Sequence, residues 1–124
     1  MTSPALIPVG SRLIEKMAPS SYVTAETLRS GDPQETEAVH LTSADSKFLT
    51  GSWSAQPYTE FIESYPGDEY TRVLEGSVTL TTDGGTPRTF TAGEAFTLTK
   101  GWRGEYRVNE PLVKQFAIYV SDEG

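Results

Sequence analysis

The sequence predicts an all-β domain, a sandwich or barrel of antiparallel strands, on three observations. From Val39 onward, turn signals recur roughly every eight to twelve residues. Between them apolar and polar residues alternate with a period of two, the mark of strands with one face in a core. The only helix-like pattern is short, from Thr24 to Arg29, where Thr24 is placed to cap and Leu28 to pack.

Residues 1–36, rich in Pro, Ser and Glu, read as an arm of short strands and turns, and residues 37–124 as the barrel domain. The turns fall at Ser43-Ala-Asp-Ser, Gln56-Pro57, Pro66-Gly67-Asp68, Asp83-Gly84-Gly85, Ala92-Gly93 and Asn109-Glu-Pro111. The strands between them carry Phe48 with Thr50, then Val78 and Leu80, Phe96 and Leu98, and finally Phe116, Ile118 and Val120. The stretch YPGDEYTRVLEGSVTLTTDGG, residues 65–85, reads as a turn, a strand, a glycine, a second strand and another turn, with Glu69 at its mouth. Gly76, Gly85 and Gly93 fall where strands turn and a positive φ costs a glycine least. The opposite faces of several strands are Thr and Ser, which suits an exterior surface or the lining of a polar cavity.

Composition excludes several functions. At 124 residues the chain is one domain. With no cysteine there is no disulfide, thiolate metal site or cysteine nucleophile. The net charge is −7, and the ten basic residues are scattered, so no nucleic-acid partner is expected. The first residues carry no basic leader pattern and no apolar run approaches the roughly 20 residues of a membrane span, so no membrane partner and a cytoplasmic location are expected. Nothing matches a nucleophile elbow or a dinucleotide fingerprint, and Asp83-Gly84-Gly85 is a hairpin turn, not a phosphate cradle.

Gly51-Ser-Trp53, the run from Tyr65 to Gly76, Gly93-Glu-Ala-Phe, Lys100-Gly101-Trp-Arg-Gly104 and Lys114 lie in an order and spacing that resemble the cupin superfamily. The resemblance is closest to the single-domain, DUF861-like group related to ureidoglycine aminohydrolase and the ethanolamine-utilisation cupins. It implies a double-stranded β-helix, or jelly-roll, barrel. Metal-binding cupins carry motifs resembling G-x5-H-x-H-x3,4-E-x6-G and G-x5-P-x-G-x2-H-x3-N, whose three histidines and glutamate hold a transition metal. On this chain the glutamate falls on Glu69 and its glycine on Gly76, but the histidine places hold Glu63 and Tyr65, or Ile62 and Ser64 with the longer spacer, and Gly104 in the second motif. The one histidine, His40, lies outside both motifs and is expected to serve packing or the surface. No metal or other cofactor is therefore expected; a divalent ion would need an oxygen-rich site from Glu69, Glu63 or Glu60 with Tyr65.

Glu69 and Lys114 are the candidate catalytic residues, and Tyr58, Tyr65, Lys100, Trp102, Arg103 and Tyr106 the candidate ligand-binding ones, with Trp53 near the entrance. Glu69 can act as a general acid or base beside a lysine, or can form a salt bridge to Lys114 or Lys100 that closes one end of the barrel. Lys114 shares the parity of Phe116, Ile118 and Val120, so it points inward if they do and then needs a partner. It is also the one residue placed for a Schiff-base role. Arg72 alternates away from Thr71 and Val73 and belongs outside. The function expected is binding of a small polar or anionic metabolite, with or without metal-independent catalysis. The alternatives are a structural or regulatory homodimer, to which the resemblance and the arm both point, and an aminohydrolase-like metalloenzyme with a non-standard ligand set.

Overall fold

Two long strands organise the chain, and their length follows from Thr, Val and Tyr alternating without a proline until Pro111. In the computed structural model, which describes residues 5–9 and 17–121, β6 (Asp68–Thr82) and β9 (Gly104–Tyr119) run antiparallel from Asp68 opposite Tyr119 to Thr82 opposite Gly104. On the outer edge of β9, β4 (Phe48–Ala55) covers the C-terminal half and β5 (Tyr58–Ile62) the N-terminal half, the two joined by Gln56-Pro57. On the outer edge of β6, β8 (Ala95–Leu98) covers the first half and β7 (Pro87–Thr91) the second. β3 (Thr36–Thr42) extends the sheet beyond β4, β1 (Ala18–Pro19) lies beyond β3, and β2 (Leu28–Gly31) lies beyond β5. The described part of the expected arm thus adds strands to both sides, while residues 1–4 and 10–16 of it lie outside the described residues.

The sheet curls because both long strands bend at the same level. The β6–β9 register shifts at Glu75 and Ser77, opposite Val113 and Glu110. Pro111 has no N–H for the ladder, and Gly76 takes a φ of 84°, where a Cβ would meet the Pro111 carbonyl oxygen at 2.2 Å. Only glycine lets the two bulges touch, and each bulge increases the local twist. Side chains from both halves then meet in one core: Trp53, Ala55, Val73, Leu98 and Leu112 from one, Tyr58, Val78, Leu80, Tyr106 and Val108 from the other. The chain is an all-β cupin-type jelly roll, and among the described residues there is no helix.

Three local readings are corrected. Gly76 does not separate two strands; it is a bulge inside the single strand β6, since the ladder to β9 resumes on both sides of it. Asn109-Glu-Pro111 is likewise a bulge within β9 and not a turn. In the β6–β7 hairpin the positive φ falls on Gly84, at 79°, and not on Gly85. Thr24 does cap a single helical turn, its hydroxyl accepting from Thr27 N and its carbonyl from Leu28 N, but β2 begins at Leu28, which packs onto the core.

Candidate functional site

Glu69 and Lys114 meet inside the curl. Glu69 follows Asp68 onto the inner face of β6 and Lys114 lies on β9 opposite Val73 and Trp53, so the parity that buries Ile118 and Val73 also turns these charges inward. Lys114 Nζ donates to Glu69 Oε2 at 3.2 Å and to Tyr106 Oη at 3.1 Å. Glu69 Oε2 also accepts from Thr71 Oγ1 at 2.7 Å, and its Oε1 from Tyr65 Oη at 3.0 Å. The ammonium lies 4.9 Å from the Trp53 ring centroid and 5.4 Å from that of Tyr106, within cation–π range. The side chains of Glu69 and Lys114 are only 7% and 8% exposed, and every buried side-chain polar atom among the described residues has a partner. Burial opposes the charged form of Lys114, but Glu69 and then Tyr106 and Tyr65 outweigh it and hold the lysine well above its ordinary pKa. A Schiff-base role needs a neutral amine, and this setting disfavours one.

The pair forms part of the wall of a cavity of about 650 Å³. Tyr58, Tyr65 and Tyr106 line it with Glu69 and Lys114, and Leu49, Ile62, Phe116, Ile118 and Val120 supply its apolar surface. Tyr58 and Tyr106 stack with centroids 6.5 Å apart, and Trp53 stands edge-on to Tyr58 at 6.4 Å and 70°. Trp53 is a buried wall of this cavity, not an entrance residue, because its Nε1 donates to Glu35 Oε1 at 3.0 Å. Glu35 also accepts from Ser20 Oγ and Val23 N; burial would raise its pKa, but these bonds lower it.

Three expected ligand-binding residues face elsewhere. Lys100 bonds Asp68 through its backbone N–H and Ser121 through Nζ. Trp102 packs edge-on against Tyr65, donates to Thr82 Oγ1 and lines a separate hollow with Leu80, Phe90 and Phe96. Arg103 pairs with Glu63 and Asp83 over the Phe61 ring, half exposed to solvent. All three sit in the turn before β9, where strand alternation does not apply. His40 bonds Ser52 Oγ at 2.9 Å, and Arg72 is exposed.

Glu60, named from the sequence only as an oxygen donor for a divalent ion, lines the cavity. It is 8% exposed, accepts from Tyr58 Oη at 2.8 Å, and has its pKa raised first by burial. The signal was present in Tyr58-x-Glu60-x-Ile62, three positions of one parity that all line the cavity. Glu35 carried no such signal, since its partner Trp53 lies 18 residues away.

A transition metal of the histidine-cupin kind does not fit these residues. Both Glu69 oxygens accept bonds, an ammonium lies against Oε2, the nearby Glu63 is engaged by Arg103, and Gly104 has no side chain to offer. Among the described residues no group of three or more His, Asp or Glu side chains is arranged to hold a metal.

The EutQ-like cupin domain model matches residues 42–116, more than half of the chain. This chain belongs to the EutQ-like cupin family. No curated protein matches it. It is similar to a protein of unknown function of the DUF861 family from Pseudomonas syringae pv. tomato, with 22% identity and a TM-score of 0.77 over 82% of this chain, and it spans only 43% of that protein's length. It also resembles a putative ethanolamine utilization protein Q from Salmonella typhimurium, at 18% identity and a TM-score of 0.61 over 71% of each chain. The EutQ protein of Clostridium difficile matches at 18% identity and 0.62, over 89% of this cupin and 86% of that chain. At these identities the likeness is one of fold. Among the described residues no helix is long and apolar enough to cross a membrane.

Proposed function

We propose that this EutQ-like cupin binds a small polar metabolite in the 650 Å³ cavity without a histidine-bound transition metal. The observation that carries this reading is a cavity of ligand size, largely apolar, into which a few oriented polar groups converge inside the curled sheet. Within it the Glu69–Lys114 pair acts as a fixed electrostatic element: with both carboxylate oxygens accepting bonds, Glu69 is poorly placed to take another proton from a ligand. Tyr106 Oη accepts from Lys114 and keeps its own proton to donate to a ligand. Glu60, whose proton affinity burial increases, is the group best suited to exchange a proton with a bound molecule.

The experiment is a thermal-shift screen of small amines, carboxylates, polyols and ureido compounds, on wild type and on Leu49→Trp, which places an indole at the cavity lining. A ligand at 100 times its Kd adds about 2.7 kcal/mol to stability. A shift in wild type that Leu49→Trp abolishes is the expected result; no shift from any class overturns the proposal. Stoichiometric transition metal in protein purified without chelator, lost in Glu69→Gln, would overturn the metal-independent part.

A further inference from the structure

We infer that the ligand this cavity takes is a small organic cation, an ammonium compound, with the Glu60 carboxylate as its counter-charge. This rests on the cavity being a ligand site, and it reverses the expectation of an anionic metabolite.

The charges on the lining carry the inference. Four carboxylates, Glu37, Glu60, Glu63 and Glu69, face one cation, Lys114. Two of the four are already neutralised, Glu69 by Lys114 within the cavity and Glu63 by Arg103 outside it. Among the described residues no lysine or arginine pairs with Glu60 or Glu37. Glu37 is nearer solvent and accepts from Tyr22 Oη, whereas Glu60 is buried with a phenol as its hydrogen-bond partner. A buried carboxylate without a counter-ion is costly, and a cation entering the cavity relieves that cost. An anion would meet the opposite: the one ammonium present is committed to Glu69 and Tyr106, and the remaining charge repels it.

The walls point the same way. Trp53 and Tyr58 meet nearly at right angles and Tyr58 stacks on Tyr106, while Tyr22 and Tyr65 complete an aromatic lining. Aromatic faces attract cations, and the Lys114 ammonium already lies 4.9 Å from the Trp53 ring centroid. Burial alone would discharge that lysine, and Glu69, then Tyr106 and Tyr65, hold it charged.

Three probes of nearly one shape separate charge from fit: choline, its neutral isostere 3,3-dimethyl-1-butanol, and the anion 3,3-dimethylbutyrate, each titrated by calorimetry and by NMR of the aromatic resonances. Choline is expected to bind about tenfold or more tighter than the neutral probe, a difference of about 1.4 kcal/mol. Glu60→Gln keeps an acceptor for Tyr58 and is expected to erase that preference; Glu60→Asp is expected to keep part of it. Equal or tighter binding of the neutral or anionic probe, abolished by Leu49→Trp, overturns the cation and leaves the cavity as a ligand site. A choline preference that survives in Glu60→Gln removes Glu60 from its role and overturns the inference as stated. Failure of all three probes, together with a blank screen, overturns both readings.

Discussion

Replacing Lys114 with methionine strands the carboxylate of Glu69, a residue only 5% exposed, without its ion partner. At the observed 3.2 Å the pair attracts by about 5 kcal/mol at an effective dielectric near 20. Desolvation of both ions offsets much of that, so the intact pair contributes little net stability, but a carboxylate left alone keeps its desolvation cost, about 3–5 kcal/mol. Against a typical total of about 5–15 kcal/mol this is a large loss. Urea denaturation at pH 7 reads it as a midpoint lowered by about 2 M for a slope near 2 kcal/mol/M. Lys114→Met with Glu69→Gln removes both charges and is expected to recover most of the loss, a coupling that a double-mutant cycle measures. The pH dependence adds a second check. Lys114 has a raised pKa in the folded state, so its contribution is complete below the unfolded lysine value near 10.4 and is lost as pH rises through the folded value. Lys114→Met lacks that alkaline loss. A single variant within about 1 kcal/mol of wild type, or a double variant no better than the single, refutes the reasoning.

Glu60→Gln tests the other buried carboxylate. Burial raises the Glu60 pKa, so its ionisation destabilises the fold once pH exceeds the unfolded value near 4.3; the variant should melt above wild type at pH 7 and equal it at pH 4, and no difference at pH 7 counts against a buried ionised group. Gly76→Ala should cost about 3 kcal/mol or more in urea unfolding, because its Cβ strikes the Pro111 carbonyl, whereas Gly84→Ala, with open space around it, should cost about 1 kcal/mol. Equal costs at the two glycines would remove the close approach from the account of the sheet's bend. Burial raises the pKa of Tyr58, Tyr65 and Tyr106, so the unfolded chain releases these protons first and stability falls above pH 10; absorbance at 295 nm should show them ionising together with unfolding, and ionisation in still-folded protein refutes it.

What could be read in advance follows from locality. Alternation places Val78, Leu80, Leu98 and Ile118 in the core and turns Lys114 to their side, because a strand's two-residue period is a property of neighbouring residues. Glycine and proline mark Gly76 and Pro111 as special but not in what way: alone, each resembles a turn, and only their contact across β6 and β9 makes them opposing bulges. The same holds for Lys100, Trp102 and Arg103, whose place beside the last motif is visible in the sequence while their directions depend on partners 20 to 40 residues away, such as Thr82 and Glu63.

By itself, then, the sequence determines an all-β domain of antiparallel strands and an inward lysine in need of a partner, because these depend on residue type and short-range period, while its resemblance to the cupins supplies the barrel and a first motif stripped of histidines. The tertiary structure decides that Glu69 pairs with Lys114 and not with Lys100, that Glu35 anchors Trp53, and that Glu60 faces the cavity. Those outcomes depend on which strands lie side by side after the curl closes, and Lys114 and Glu69, 45 residues apart, meet only then.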